Sequence, residues 1–277
     1  MLSAEARASF DERGFFIVRD FAPAAVLDAM TARIEALARD AAAGHDIGPA
    51  YVLPETKLVS PTRRPEEQVA KVFTLHRQEP VFADFGRDPR LLAIVAALVA
   101  PDADCFLSQF IFKEPGALGQ PWHQDAFYFA FDRGPQLGAW LAVTEATREN
   151  GPLWVLPASH REPVHRVVAD SRPDALFGYV EIVDHDMTAA EPVLMQRGDL
   201  LVFHAHLMHR STDNISKGRR AAMVYHYTPA GTVDGTRGRF GFDSPNNDFV
   251  PVLRAGRPVA DGAPSRSRGS PGEPATP

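Results

Sequence analysis

The sequence predicts a mainly β protein whose core is an antiparallel sandwich or barrel, buttressed on one side by N-terminal helices. Three observations predict it. From Asp104 onward, short runs rich in Val, Leu, Phe, Trp and Tyr alternate with Gly, Pro, Asn and Asp, the pattern of many short strands separated by turns. Before that point, apolar residues recur at helical intervals. No linker interrupts the chain until residue 255, so helices and strands are expected to form one domain over 1–254. Residues 255–277 hold five prolines, four glycines and no aromatic residue, and are expected to be a disordered tail that buries too little to offset its ordering entropy.

In chain order, Gly14–Val18 is a short apolar strand. Asp20 and Pro23 then introduce a helix with Val26, Leu27, Met30, Ile34 and Leu37 on one face, ended by Gly44. Residues 45–65 lack periodicity and read as a loop. A second helix is expected over 66–76, with Lys71 as a solvated lysine on its face, and a third begins at Asp88-Pro89 and carries Leu91, Leu92, Ile94, Val95 and Leu98. Strands are expected at 105–113, 137–144, 152–156, 179–183, 192–196, 199–204 and 221–227, and residues 231–250 as a surface loop.

Bulk properties narrow the function. With 277 residues and 45% apolar content, the chain can bury a large core. A net charge of -6 gives no basic footprint, which argues against nucleic acid as a partner. Cys105 is the single cysteine, so no internal disulfide forms, as suits a reducing compartment. The N-terminus has no signal-like pattern, and the most apolar stretch, 91–100, is too short to cross a bilayer. A cytoplasmic protein is expected, with its oligomeric state open.

The chemistry concentrates in two places. Pro121-Trp122-His123-Gln124-Asp125 sets an imidazole and a carboxylate two residues apart, on one face if the segment is extended. An aromatic collar, Trp122 and Phe127-Tyr128-Phe129, makes that carboxylate costly to bury without a cation or donor. Downstream, Gly198-Asp199 and an apolar strand lead to His204, His206 and His209, any of which fits as a further ligand on spacing alone. Two imidazoles and a carboxylate on one face of a metal leave three positions open, the arrangement of non-haem Fe(II) oxygenases. No His-Glu-x-x-His zinc motif occurs. The alternatives are a cupin-like metal enzyme that uses no 2-oxoglutarate and a non-catalytic β-sandwich that binds a ligand.

Together these motifs resemble the phytanoyl-CoA dioxygenase-like (PhyH) branch of the Fe(II)/2-oxoglutarate-dependent oxygenases. The resemblance runs over most of residues 12–228: Gly14–Phe21, Phe112-Lys113-Glu114-Pro115-Gly116, His123-Gln124-Asp125, Ala139-Trp140-Leu141-Ala142, Glu149-Asn150-Gly151-Pro152 through His160, Gly198-Asp199, His209-Arg210-Ser211, Asn214 and Arg219-Arg220. It implies a double-stranded β-helix (jelly-roll, cupin-like) core with Fe(II) held by His123, Asp125 and His209. In that branch a small residue follows the distal ligand by two and an arginine by eleven, which from His209 are Ser211 and Arg220. Arg220 and Ser211 would then bind 2-oxoglutarate, with Gln109 and Trp140 lining its pocket, and His160 at a position the family often shares. The implied activity uses O2 to hydroxylate or otherwise oxidise a small or medium-sized molecule, releasing succinate and CO2. Asp125 speaks against halogenation, which needs a small residue there. Around the metal mouth, Tyr128, Phe127 and Trp154 are candidates for an aromatic substrate wall. Arg237, with Arg161 and Arg239, is a candidate partner for an anionic substrate, and loops 45–65 and 231–250 are lid candidates.

Overall fold

The apolar runs become the central strands of one large antiparallel sheet, and the helices cover one face of it. The computed structural model describes residues 2–176, 178–235 and 249–259. In order these form α1 (Ala4–Arg13), β1 (Phe15–Val18), α2 (Ala24–Ala42), β2 (Tyr51–Pro54), β3 (Val69–Phe73), α3 (Pro80–Gly86), α4 (Pro89–Leu98), β4 (Ala103–Lys113), α5 (Asp125–Tyr128), β5 (Leu137–Ala142), β6 (Leu153–Val155), β7 (Val167–Ala169), β8 (Val180–Ile182), β9 (Glu191–Val193), β10 (Leu200–His204), β11 (His209–Ser211), β12 (Arg220–Pro229), β13 (Val250–Arg254) and β14 (Arg257–Pro258).

Among the described residues, nine strands pair in the order β1-β10-β5-β12-β4-β13-β14, with β3 also on β4 and β2 on β3. A three-stranded sheet, β11-β6-β9, faces it, and β7 and β8 form a separate hairpin. Side chains alternate between two apolar layers. Leu200, Val202, Leu141, Ala221, Met223 and Tyr225 pack with Met30, Ile34, Leu37 and Leu91 of the helices. Leu201, Phe203, Trp140, Ala222 and Val224 pack instead with Val155 and Val193 of the small sheet. Strands buried on both faces need no polar alternation, which is why these segments read as continuous apolar runs. This is the jelly-roll expected from the sequence.

The α2 helix shows what fixes the helical layer. Its N-cap is Pro23, with no side-chain cap bond, yet Leu27, Met30, Ile34 and Leu37 are all buried. Each such burial stabilises by about 1.5–3 kcal/mol, more than the roughly 1 kcal/mol of a missing cap. The Gly198-Asp199 turn ties this layer to the sheet. Asp199 accepts from the Asp20 and Gln196 amides and from Arg19. Gly198 sits at φ 96°, where a Cβ would come within 2.7 Å of the Ala22 carbonyl oxygen.

Three expectations are corrected. Residues 66–76 are not a helix: after a short turn, Val69–Phe73 is strand β3, paired with β2 and β4. Its Val-Ala-Lys-Val-Phe run favours an extended chain. The 45–65 stretch contains strand β2. Within 255–277, Ala255-Gly256 turns into β14, which pairs with β13, while 260–277 lie outside the described residues.

Candidate metal centre

Backbone pairing brings the two ligand segments together. The His123 amide donates to the His209 carbonyl and the His209 amide to that of His123, each at 2.9 Å. The segment does not stay extended, because Asp125 opens the single turn of α5. That turn folds its carboxylate back onto the imidazoles. Asp125 Oδ1 lies 3.6 Å from His123 Nε2 and 3.7 Å from His209 Nε2. One ligand atom from each of the three residues falls within 4.8 Å of the others, and all three residues are buried.

The protonation pattern suits a cation. His123 Nδ1 donates to the Pro121 carbonyl at 2.8 Å and His209 Nδ1 to that of Leu207 at 2.9 Å. Each ring thus turns its Nε2 inward, the orientation of metal-ligating histidines. Burial, followed by the His123 ring, pushes His209 down to about 4, so it stays neutral. Burial raises the Asp125 carboxyl, but His209, His123 and His226 outweigh it and hold it well below the usual carboxylate range. His204 and His206 stand apart. The former accepts from the latter's amide, and its ring packs near Phe10 and His160.

His226 is a part of the centre that the motifs did not reveal. Its Nε2 lies 3.0 Å from Asp125 Oδ2. It stands six residues after Arg220 on β12, on the same inward face as Ala222 and Val224, so counting by twos from Arg220 would have found it.

Arg220 is 1% exposed. Its Nε and Nη2 donate to the Gly151 carbonyl at 3.2 and 2.9 Å, and its guanidinium stands 5.5 Å from the centre of the Trp140 ring. Nη1 has no partner, nor does Trp140 Nε1. Among the described residues no carboxylate pairs with this guanidinium, and burying an uncompensated ion costs several kcal/mol. A guanidinium with an unused donor suits a carboxylate in charge and in planar hydrogen-bond geometry. Gly151 is needed for this approach: at φ 82°, a Cβ there would meet Lys113 Cδ at 2.4 Å and the Thr212 carbonyl oxygen at 2.6 Å.

Ser211 shares the inward face of β11 with His209 and accepts from Lys113 Nζ at 2.7 Å, leaving its own proton to donate. Half-buried Gln109 lies on β4 in parity with Lys113, across from Val224. Lys71, read from sequence as solvated, is 8% exposed and reaches Gln120 Oε1 at 3.3 Å with its Nζ 4.9 Å from the Tyr179 ring centre. Burial lowers it to about 8, against the pull of Asp125. Burial likewise takes Lys113 well below the usual lysine range.

The substrate candidates divide. The Tyr128 ring meets His123 edge-on at 5.8 Å, and Phe127 packs on Tyr128. Trp154 pairs with Arg210, on the face of the strand opposite that shared by His209 and Ser211, and packs with Trp122 and Met208. The Arg210 guanidinium spans the Trp122 and Trp154 rings at 5.1 and 5.5 Å. Arg161 donates to the Asp11 carbonyl and His160 lies beside Gly14. Arg237 and Arg239 lie outside the described residues.

Over residues 10–222 the chain matches the family model described as phytanoyl-CoA dioxygenase (PhyH). A Rattus norvegicus protein, phytanoyl-CoA dioxygenase domain-containing protein 1, is 35% identical over 178 residues, 61% of this chain and 60% of that one. The chain thus spans about 60% of that relative's length. The same fold occurs in the epimerase SnoN, solved with Fe3+, alpha-ketoglutarate and nogalamycin RO (17% identity, TM-score 0.66, 91% of this chain and 96% of that one). It occurs also in EctD from S. alaskensis, solved with 2-oxoglutarate and 5-hydroxyectoine (23% identity, TM-score 0.63, 82% and 76%). The fold is the one these two proteins share. The chain belongs to the phytanoyl-CoA dioxygenase (PhyH) family.

Proposed function

We propose that this protein is an Fe(II)- and 2-oxoglutarate-dependent dioxygenase that hydroxylates, or otherwise oxidises, an unactivated carbon of a small or medium-sized organic molecule. The observation that carries this reading is a buried two-His, one-carboxylate trio whose Asp125 is held by His226, on the same face of β12 as Arg220, a buried arginine with a free donor. His123, Asp125 and His209 would hold the iron on one side and leave the opposite positions open. With both groups bound, the centre supplies O2 activation coupled to conversion of 2-oxoglutarate into succinate and CO2. Arg220 and Ser211 bind the far carboxylate of 2-oxoglutarate, Trp140 packs against the guanidinium, and Gln109 lines the pocket beside them. Lys71, lowered only to about 8, keeps its charge at neutral pH and offsets the repulsion of a dianion by Asp125, while Lys113 holds Ser211 in place through its hydrogen bond. Phe127 and Tyr128 form the aromatic side of the substrate mouth and exclude water from it. The chain acts as one domain over 1–254 on a small molecule, in the cytoplasm.

Metabolites screened aerobically with Fe(II) and 2-oxoglutarate test this reading. Substrate-dependent succinate release is expected, with one added oxygen in the product for a hydroxylase and none for an epimerase or desaturase. Product formed with no 2-oxoglutarate requirement would contradict it.

A further inference from the structure

A second group of ligand-type side chains lies outside the proposed iron site: Glu162, His165 and His185, whose ligand atoms fall within 4.8 Å of one another. The β7–β8 hairpin assembles it. His165 precedes β7 and His185 follows β8, and the register Val167↔Ile182 brings these ends side by side. The two rings meet at 5.1 Å, nearly perpendicular. Glu162 Oε2 lies 2.9 Å from His165 Nε2 and 3.0 Å from His185 Nε2. The imidazoles are about a fifth exposed, at 19% and 21%, and the carboxylate 38%, so an ion could enter from solvent.

His185 Nδ1 faces the Asp186 carbonyl at 3.0 Å, while its Nε2 faces the Glu162 carboxylate. With Nδ1 turned to a backbone carbonyl, Nε2 is the ring nitrogen presented to the cluster, the orientation of a metal-ligating histidine. With metal–ligand bonds of about 2.1 Å, neighbouring ligand atoms sit about 3.0 Å apart in octahedral and about 3.4 Å apart in tetrahedral coordination. The two carboxylate–imidazole distances match the former and need little opening for the latter.

We propose that Glu162, His165 and His185 form a second site, for a divalent transition ion of the zinc type, with water completing the shell. Imidazole and carboxylate donors suit such an ion, and three protein ligands hold it without enclosing it. The site is tied to the catalytic loop. Gln124, between His123 and Asp125, accepts from the His165 amide at 2.8 Å and donates to the Pro163 and His206 carbonyls. The Ile182 amide also donates to the Trp122 carbonyl at 2.8 Å. An ion here pins the hairpin against the turn that carries the iron ligands.

Equilibrium dialysis of the apoprotein against Zn2+ alone, with bound metal counted, tests the proposal. Wild type should take up two equivalents, and His123→Ala, His185→Ala and Glu162→Gln one each. The near-isosteric Glu162→Gln serves where His185→Ala folds poorly by circular dichroism. In the His123→Ala background, adding His185→Ala should weaken the remaining equivalent at least about tenfold. One equivalent in wild type, lost in His185→Ala but kept in His123→Ala, would support this site and contradict the catalytic trio as a zinc binder. A count unchanged by both His185→Ala and Glu162→Gln would overturn the proposal, leaving a protonated His–Glu–His contact in its place.

Discussion

His226 Nε2 donates to Asp125 Oδ2 across 3.0 Å, so the carboxylate that faces the metal trio with one oxygen is gripped by the other. Both groups are buried, and a third imidazole therefore sets the orientation of the anionic ligand. Partners of this kind contribute roughly 10–100-fold to metal affinity or activity. His226→Phe is expected to weaken Fe(II) binding within that range and to leave the thermal midpoint within a few degrees. His226→Gln, which can still donate, should recover part of the affinity. Anaerobic titration of Fe(II) checks this, and equal affinity in wild type and His226→Phe would show that Asp125 is held by the backbone alone.

Arg220 separates cosubstrate binding from metal binding. Arg220→Ala removes a buried, charge-assisted contact of about 2–5 kcal/mol, roughly 30- to 5,000-fold in 2-oxoglutarate affinity. Fe(II) affinity should stay within a few-fold of wild type. Arg220→Lys should recover little, since a single ammonium cannot reproduce a planar fork. Calorimetric titration of 2-oxoglutarate into the Fe(II) or Mn(II) form measures both.

Lys71 should trade stability for binding. Its value falls from 10.5 to about 8 on burial, and about 1.4 kcal/mol per tenfold change makes the cost of holding it charged about 3 kcal/mol. Between about 8 and 10.5 the unfolded chain keeps a proton that the folded chain has lost, so apoprotein stability rises with pH across that window and carries the full cost below it. Lys71→Met should thus raise the apoprotein's midpoint at pH 7 and abolish that rise. It should also weaken 2-oxoglutarate binding, and flatten the loss of affinity that wild type shows above about pH 8. Thermal melts from pH 7 to 10 and the pH profile of the 2-oxoglutarate KM read the two effects.

Histidine substitutions test which member of the 204–209 cluster is the ligand. His209→Gln should lose iron at the catalytic centre, whereas His204→Gln and His206→Gln should each retain it with less than about tenfold change in affinity. Iron retained by His209→Gln and lost in either other variant would reassign the site.

Legibility in the sequence followed burial geometry. β4, β5, β10 and β12 stand out because they are covered on both faces, and α2 and α4 because they are covered on one. β3 was misread because Lys71 interrupts its apolar run, although the lysine is buried and points toward Gln120 rather than solvent. His226 lay hidden inside the apolar stretch Ala221–Tyr227, and Lys113 passed as one charged residue of a motif. A three-residue strand such as Leu153–Val155 has too little periodicity to show which way Trp154 turns. A substrate leaves no such periodic trace, and the aromatic residues that core and mouth use are the same.

The most direct test of the central claim is an anaerobic visible spectrum of the apoprotein mixed with Fe(II) and 2-oxoglutarate. The account predicts a weak metal-to-ligand absorption that needs both additions and is lost in Asp125→Ala and in Arg220→Ala. Iron bound by wild type with no such band at saturating 2-oxoglutarate would contradict it.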